Sequence, residues 1–308
     1  MTISMTPYSG RMSYCLIKSI QMVLAHQGHH YELPWLECVS GEAFEFVYLR
    51  DHKSFFVVIG DQYHLSGEHL LRTLNYEYTY TGSSDDETAL AALRIALTQG
   101  PVVAGMLDMG YLTYSPTHRQ AAGADHAIVV LALEPDEVIV HDPDGYPAVP
   151  LPLNHFLNAW KRDIYTGKPY GLWQIGAQGT PPTDGEIWEK SLDLARTHMA
   201  RTSVTTADGV QLLYGPEAMR TLATDLQTLP DIPLGGLPYF NWRVSGQRCL
   251  DSAFFLKEHL PEAAAIRWEE SLLYGRLQQA TAANQRERLP DILHRLAEHE
   301  TRFIAALG

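Results

Sequence analysis

The chain has 308 residues, of which 45% are hydrophobic and 19% are charged, a composition typical of a globular protein with a buried core. Its 36 acidic and 23 basic side chains give a formal charge of −13, which argues against nucleic acid or an anionic membrane as partner. The three cysteines match no metal-binding spacing, and we find neither a signal peptide nor an apolar run of about 20 residues. We therefore expect a soluble, cytoplasmic protein with no metal, no other cofactor and no disulfide framework.

The N-terminal part of the chain is predicted to mix helices with strands. An amphipathic helix begins in the stretch SYCLIKSI, with Ser13 as its cap and Gly28 at its end. Aromatic and β-branched runs then predict strands in FEFVYL, SFFVVIG and YEYTYTG. A second amphipathic helix follows in DDETALAALRIALTQG, and a buried strand in GPVVAGMLDMG.

The next stretch predicts an antiparallel hairpin. HAIVVLAL (126–133) and VIVHDPDG (138–145) are two apolar strands joined by the short turn EPDE. A last strand is expected in GLWQIG, and the Gly- and Pro-rich stretch AQGTPPTDGE (177–186) indicates a domain boundary. The remainder is predicted to be helical, at about 185–203, 215–228, 247–260, 262–284 and 288–306. We predict an α+β domain over residues 1–178 and an all-helical domain over residues 179–308.

Three residues in these elements form a candidate catalytic set. A cysteine nucleophile needs a means of ionising its thiol, a base for the proton, and a group that orients the base. Cys15 lies in the first turn of a predicted helix, where the helix dipole favours a thiolate. His126 begins the first strand of the hairpin and Asp142 ends the second. Because the turn centre falls near residue 134, we expect His126 and Asp142 to be cross-strand neighbours.

Each of these residues alone has an ordinary structural explanation. A cysteine in an amphipathic helix often fills the core, and Asp142 in the DPDG stretch could simply begin a turn. The combination of a cysteine at a helix start with a histidine and an aspartate on paired strands is the more specific signal. It predicts a catalytic triad of Cys15, His126 and Asp142.

Four blocks of the sequence, in the same order, resemble a known family. They are YCLIKSIQMVLAHQG, GEAFEFVYL, PVVAGMLDMGYLTY and DHAIVVLALEPDEVIVHDPD. Over about residues 8–176 the chain resembles the N-terminal domain of the butirosin-biosynthesis acyltransferase family (butirosin H type). That domain is papain-like and is distantly similar to bacteriocin-processing cysteine peptidases. The resemblance implies a papain-like fold for the first domain.

The resemblance also implies acyl transfer through a thioester in specialised metabolism, specifically antibiotic biosynthesis. An acyl or aminoacyl group would pass from an acyl carrier protein to Cys15 and then to a small amine acceptor. His126 would act first as base and then as acid, with Asp142 fixing its ring, a form of assistance worth about 10²–10⁴ in rate. The backbone N–H of Cys15 would be one oxyanion donor.

The chain departs from papain-like peptidases upstream of the cysteine. Those enzymes carry a glutamine six residues before the nucleophile as second oxyanion donor, and Ser9 occupies that position here. Arg11 is a nearby substitute for this donor. Phe44, Asp108 and Tyr114 are further candidates for substrate binding, Asp108 because a carboxylate at the end of a buried strand could bind an amine.

Two alternatives to an acyltransferase remain at this level. One is a cysteine peptidase or amidohydrolase that uses the same triad with water as acceptor. The other is a non-catalytic binding protein that retains the fold, in which Cys15 would react no faster than a buried thiol. The sequence leaves open the acyl group, the acceptor and the oligomeric state.

Overall fold

The structure is a computed structural model that describes residues 4–10, 13–50, 55–58, 63–162, 168–205 and 209–308. Its helices, in chain order, are α1 (Cys15–His26), α2 (Leu33–Val39), α3 (Tyr63–Thr73), α4 (Asp86–Leu97), α5 (Leu153–Trp160), α6 (Asp184–Met199), α7 (Gly215–Thr228), α8 (Trp242–Leu256), α9 (Pro261–Ala282) and α10 (Leu289–Leu307). Its strands are β1 (Val47–Arg50), β2 (Phe55–Val58), β3 (Tyr76–Thr81), β4 (Val102–Asp108), β5 (Asp125–Leu133), β6 (Glu137–Asp142), β7 (Tyr146–Pro152), β8 (Leu172–Gln178), β9 (Val204–Thr205) and β10 (Gln211–Tyr214).

The chain divides into two compact units. One, the six-stranded unit, comprises Ser13–Leu36 and Gln62–Thr183. The other, the helical unit, comprises Met1–Met12, Glu37–Asp61 and Asp184–Gly308. The predicted division at residue 178 differs from this one chiefly in the segment 37–61, which joins the helical unit because β1 pairs with β10.

The six-stranded unit is built on an antiparallel sheet with the strand order β3-β8-β4-β5-β6-β7. Helix α1 packs against β4 and β5, and α3 packs against α1 and β3. Residues of β4, β5 and β6 form an apolar cluster with α4 and α5, in which Trp160 and Phe156 are the largest fully buried side chains. The mixture of helices and strands and the antiparallel sheet predicted for this part of the chain are confirmed.

Helix α1 begins at Cys15, one residue after Tyr14, and no side chain caps its start. The predicted Ser13 cap is therefore wrong, since Tyr14 takes the cap position and its carbonyl accepts the first helical bond from Lys18 N–H at 2.8 Å. The predicted end is confirmed. Gly28 adopts φ +89°, which allows the reversed turn in which His29 N–H donates to Leu24 O at 3.0 Å.

The helical unit contains a small antiparallel sheet with the order β2-β1-β10-β9, packed with its helices around an apolar cluster that includes Tyr48 and Trp242. The helical character predicted beyond residue 184 is confirmed. An all-helical domain is not, because 204–205 and 211–214 are strands. Residues 211–214 become a strand through pairing with β1, a partner distant in the chain.

Two buried ionic clusters lie within the helical unit. In one, Arg248 forms ion pairs with Glu37 at 2.5 Å and Glu42 at 2.7 Å. In the other, Arg267 forms ion pairs with Glu270 at 2.6 Å and Glu300 at 2.7 Å. Each guanidinium thus faces two carboxylates in a region removed from water, where a second negative charge is costly.

Among the described helices, none has both the length and the apolar character needed to cross a membrane.

Candidate active site

Cys15 is the first helical residue of α1 and is half-buried. Because the first helical bond is donated by Lys18 N–H, the N–H groups of residues 15–17 precede the hydrogen-bond ladder of the helix. The other cysteines, Cys38 and Cys249, are buried at 0% and 2% exposure. Cys15 is thus the cysteine of this chain that both reaches solvent and lies at the positive end of a helix dipole.

His126 and Asp142 are in direct contact. His126 Nε2 lies 2.8 Å from Asp142 Oδ1, and their side chains are 8% and 2% exposed. Cys15 lies close enough to the His126 ring to raise its pKa. Because Asp142 contacts Nε2, Nδ1 is the ring nitrogen left available for the thiol. The structure therefore brings together all three residues of the predicted triad within the six-stranded unit.

The strand register explains how His126 reaches Asp142. Strand β5 pairs with β6 so that Val129 lies opposite His141, which sets Asp142 level with Ile128. His126 is two residues further along β5, on the same sheet face as Ile128, because side chains alternate along a strand. The two residues are therefore diagonal neighbours rather than directly opposed, and the length of the imidazole spans the difference.

The Asp142 carboxylate has two further donors. The backbone N–H of Asp144 donates to Oδ1 at 2.6 Å, and the Tyr114 hydroxyl donates to Oδ2 at 2.7 Å. Tyr114 lies between β4 and β5, and its ring packs against Tyr146 with a centroid separation of 5.2 Å. Both carboxylate oxygens are thus engaged, and the plane of the carboxylate is fixed toward His126.

These contacts shift the pKa values of both members of the pair. Burial alone would raise the pKa of Asp142, but the hydrogen bond and charge of His126, with the donors Asp144 and Tyr114, lower it. Burial has the opposite effect on His126 and alone would lower its pKa. Its interactions with Asp142 and Cys15 nevertheless raise this pKa well above the usual value of 6.5. The site therefore favours an imidazolium held beside a carboxylate.

Two side chains of α1 that the sequence did not single out attach the helix to the hairpin. Lys18 Nζ donates to Pro143 O at 2.8 Å, and buried Ser19 Oγ donates to Ala127 O at 3.2 Å. These carbonyls belong to the residues that directly follow Asp142 and His126. The signal in the sequence is a pair of polar residues three and four positions after Cys15.

Asp108, predicted to bind a substrate amine, is 2% exposed and holds a loop. Its Oδ1 accepts hydrogen bonds from the N–H groups of Gly110 and Gly123, both at 2.8 Å, and its Oδ2 lies 3.2 Å from Arg162 Nη1. The carboxylate thus joins the two ends of the segment between β4 and β5, the segment that carries Tyr114.

The remaining substrate-binding predictions concern the helical unit. Ser9 is exposed, and Arg11 lies outside the described residues. Phe44 is fully buried and packs against Phe255 with a centroid separation of 6.3 Å, in an apolar cluster of the helical unit. A role in substrate binding stays a prediction for these three residues.

Two separate segments of the chain match models of known protein families. Residues 14–143 match the family model described as butirosin biosynthesis protein H, N-terminal, which confirms the resemblance deduced from the sequence. Residues 209–308 match the YobF C-terminal domain. The uncharacterized protein YobF of Bacillus subtilis (strain 168) is 26% identical to this chain, in an alignment that covers 97% of each.

Proposed function

We propose that this chain, whose residues 14–143 match the butirosin biosynthesis protein H family, is a biosynthetic acyltransferase that works through a thioester on Cys15. The observation that carries the proposal is the contact chain Cys15–His126–Asp142, with His126 Nε2 at 2.8 Å from Asp142 Oδ1. Nucleophile, base and orienting group are in the relationship that covalent catalysis requires.

The first half of the reaction would load the enzyme. The Cys15 proton passes to His126 Nδ1, and Sγ attacks the carbonyl carbon of an acyl thioester to form a tetrahedral intermediate. The bond to the donor sulfur then breaks, and the departing thiolate takes the proton back from His126. Acyl-Cys15 and a free donor thiol result. An acyl carrier protein is the proposed donor, on the strength of the family match.

The second half would transfer the acyl group to an amine. The acceptor nitrogen attacks the carbonyl of acyl-Cys15 and gives up a proton to His126. Collapse of the intermediate breaks the carbon–sulfur bond, and Sγ recovers the proton from the imidazolium. The products are an amide and the original thiol, so no oxidant, metal or nucleotide is consumed.

The start of α1 is the proposed place for the oxyanion. The N–H of Cys15 precedes the helical ladder and lies at the positive end of a helix of 12 residues. In other enzymes, loss of one such donor slows the chemical step by about 10²–10³-fold. A cysteine at the start of a helix that packs against the strand bearing the histidine also supports a papain-like arrangement for the six-stranded unit.

The test is intact-mass spectrometry of the full chain after incubation with a panel of acyl thioesters. The unaltered chain should gain the mass of one acyl group, and Cys15→Ala should gain none. Cys38→Ala and Cys249→Ala are matched controls that should still be acylated, because both thiols are buried. Addition of small amines should then discharge the acyl group as an amide.

Each alternative gives a different result. Release of free acid at the same rate with and without amines would identify a hydrolase on the same triad. No adduct with any thioester, together with an iodoacetamide rate at Cys15 equal to that of an ordinary thiol, would refute both enzymes and favour a binding protein.

A further inference from the structure

Tyr114 contacts the one oxygen of Asp142 that faces neither His126 nor Asp144. Its hydroxyl donates to Asp142 Oδ2 at 2.7 Å, while His126 and Asp144 share Oδ1. The Asp142 side chain is 2% exposed, so bulk water has little access to Oδ2. A buried carboxylate oxygen without a donor is unfavourable, and Tyr114 supplies that donor.

We propose that Tyr114 is a positioning residue of the triad, which orients the Asp142 carboxylate and thereby tunes His126 as a base. The inference rests on the proposed function, because it takes Cys15, His126 and Asp142 as a working unit. It assigns to Tyr114 a role different from the substrate contact predicted from the sequence.

The electrostatic argument follows from hydrogen bonding to a charged group. A donor on Oδ2 withdraws negative charge from the carboxylate, so less of it is available to stabilise the His126 imidazolium. Without the Tyr114 hydroxyl, Asp142 should hold the imidazolium proton more tightly. A base that releases its proton less readily is a poorer acid for the departing thiolate.

The surroundings of Tyr114 fit a fixed donor. Its ring packs against Tyr146 of β7, and its loop is held by Asp108, which accepts from Gly110 and Gly123. Burial and the charge of Asp142 raise the pKa of Tyr114, so the phenol keeps its proton and stays a donor.

The titratable groups that face this contact chain come from several elements. Cys15 contributes from α1, and Asp144 and Tyr146 follow β6. Lys18 of α1 donates to Pro143 O, directly after Asp142. The change in Tyr114→Phe leaves all of these in place and removes one hydroxyl.

The experiment is the rate of alkylation at Cys15 by iodoacetamide as a function of pH, resolved by peptide mass spectrometry on the full chain. The high-pH limb of the profile reports loss of the imidazolium proton. Tyr114→Phe should move this limb upward by about one pH unit, a tenfold change in proton affinity. Tyr111→Phe is the matched control, because it removes a hydroxyl from the same loop that contacts Arg162 instead of Asp142.

A second variant separates tuning from packing. Tyr114 replaced by 3-fluorotyrosine, incorporated at this position alone, keeps the ring and offers a stronger donor, so the limb should move downward. Opposite shifts for the two changes support the proposal. A profile that superposes on that of the unaltered chain refutes it, and if Tyr114→Phe fails to fold, the fluorotyrosine chain alone decides by the same criterion.

The readout needs no acyl substrate, which keeps the two proposals separable. A chain that shows both shifts but accepts no thioester would refute the acyltransferase and leave the role of Tyr114 standing. If the chain forms acyl-Cys15 but the Tyr114 variants show the same pH profile of alkylation as the unaltered chain, the acyltransferase would be supported and the role of Tyr114 refuted.

Discussion

His126 Nε2 lies 2.8 Å from Asp142 Oδ1, although the strand register sets Asp142 level with Ile128 rather than with His126. The two-residue offset keeps both side chains on one sheet face, and Tyr114 and Asp144 hold the carboxylate toward the ring. This pair determines which nitrogen of His126 is left for Cys15. Four further predictions follow from the contacts around it and from the buried carboxylates of the helical unit.

Asp142→Asn should abolish acyl transfer while leaving Cys15 open to alkylation. An amide cannot stabilise the imidazolium or fix the ring tautomer in the same way, and in serine triads the equivalent change costs about 10⁴ in turnover. Acylation rates from intact-mass spectrometry and alkylation rates with iodoacetamide would separate the two effects. Asp136→Asn, an exposed change in the turn of the same hairpin, is the control. Full retention of acyl transfer in Asp142→Asn would contradict the orienting role.

His126→Gln should reduce stability most at pH values between the ordinary pKa values of aspartate and histidine, 3.8 and 6.5. The pKa of Asp142 is lowered in the fold, so its contribution is present above 3.8 and is lost as the pH falls through the lowered value. The pKa of His126 is raised, so its contribution is complete below 6.5 and is lost as the pH rises through the raised value.

Urea denaturation of the unaltered chain and of His126→Gln, at pH values within this range and on both sides of it, would measure the effect. The difference in unfolding free energy between the two chains should be largest between pH 3.8 and 6.5, and should shrink as the pH falls below 3.8 or rises above 6.5. A difference independent of pH would contradict the ion pair.

Lys18→Met should slow acylation of Cys15 with little effect on the stability of the fold. The long apolar stem is kept, but the bond from Nζ to Pro143 O, which links α1 to the residue after Asp142, is lost. Because small misplacements of reacting groups slow catalysis strongly, we expect a loss of about tenfold or more. Lys161→Met, whose Nζ contacts Asn158 at the exposed end of α5, is the matched control. Equal acylation rates in the two variants would refute the link.

Glu300→Gln should flatten the decline in stability toward alkaline pH. Burial and the neighbouring Glu270 raise the pKa of Glu300 from 4.5 to about 8, although Arg267 opposes the shift. The folded chain thus keeps a proton that the unfolded chain releases, and stability falls as the pH rises from 4.5 through 8.

The slope expected from one such carboxyl is at most about 1.4 kcal/mol per pH unit. The amide is a neutral isostere of the protonated acid and removes this slope. Glu298→Gln, an exposed position on the same helix, should leave it unchanged. Denaturation midpoints at pH 6 to 9 would decide, and parallel curves for the unaltered chain and Glu300→Gln would contradict the buried proton.

Much of the fold could be predicted because the local pattern agreed with the tertiary contacts. Helix α7 (Gly215–Thr228) was predicted with its observed bounds, strand β4 falls within its predicted apolar run, and strands β5, β6 and β8 overlap theirs. Strand β7 was missed because Tyr146–Pro152 contains three prolines and little buried surface. It is an edge strand, where proline is tolerated, and its pairing with β6 defines it.

The sequence by itself determined the candidate triad, since the hairpin that brings His126 to Asp142 is encoded in two apolar strands and a short turn between them. A cysteine at the start of an amphipathic helix is equally local information. Only the tertiary structure decided the rest: that Tyr114 binds Asp142, that Lys18 and Ser19 attach α1 to the hairpin, and that segment 37–61 belongs with the C-terminal helices. The hydrogen bonds of Tyr114, Lys18 and Ser19 join residues that are 28 to 125 positions apart in the chain. The periodicity of a single segment indicates which face of it is buried, but it does not indicate which distant residue a polar side chain contacts.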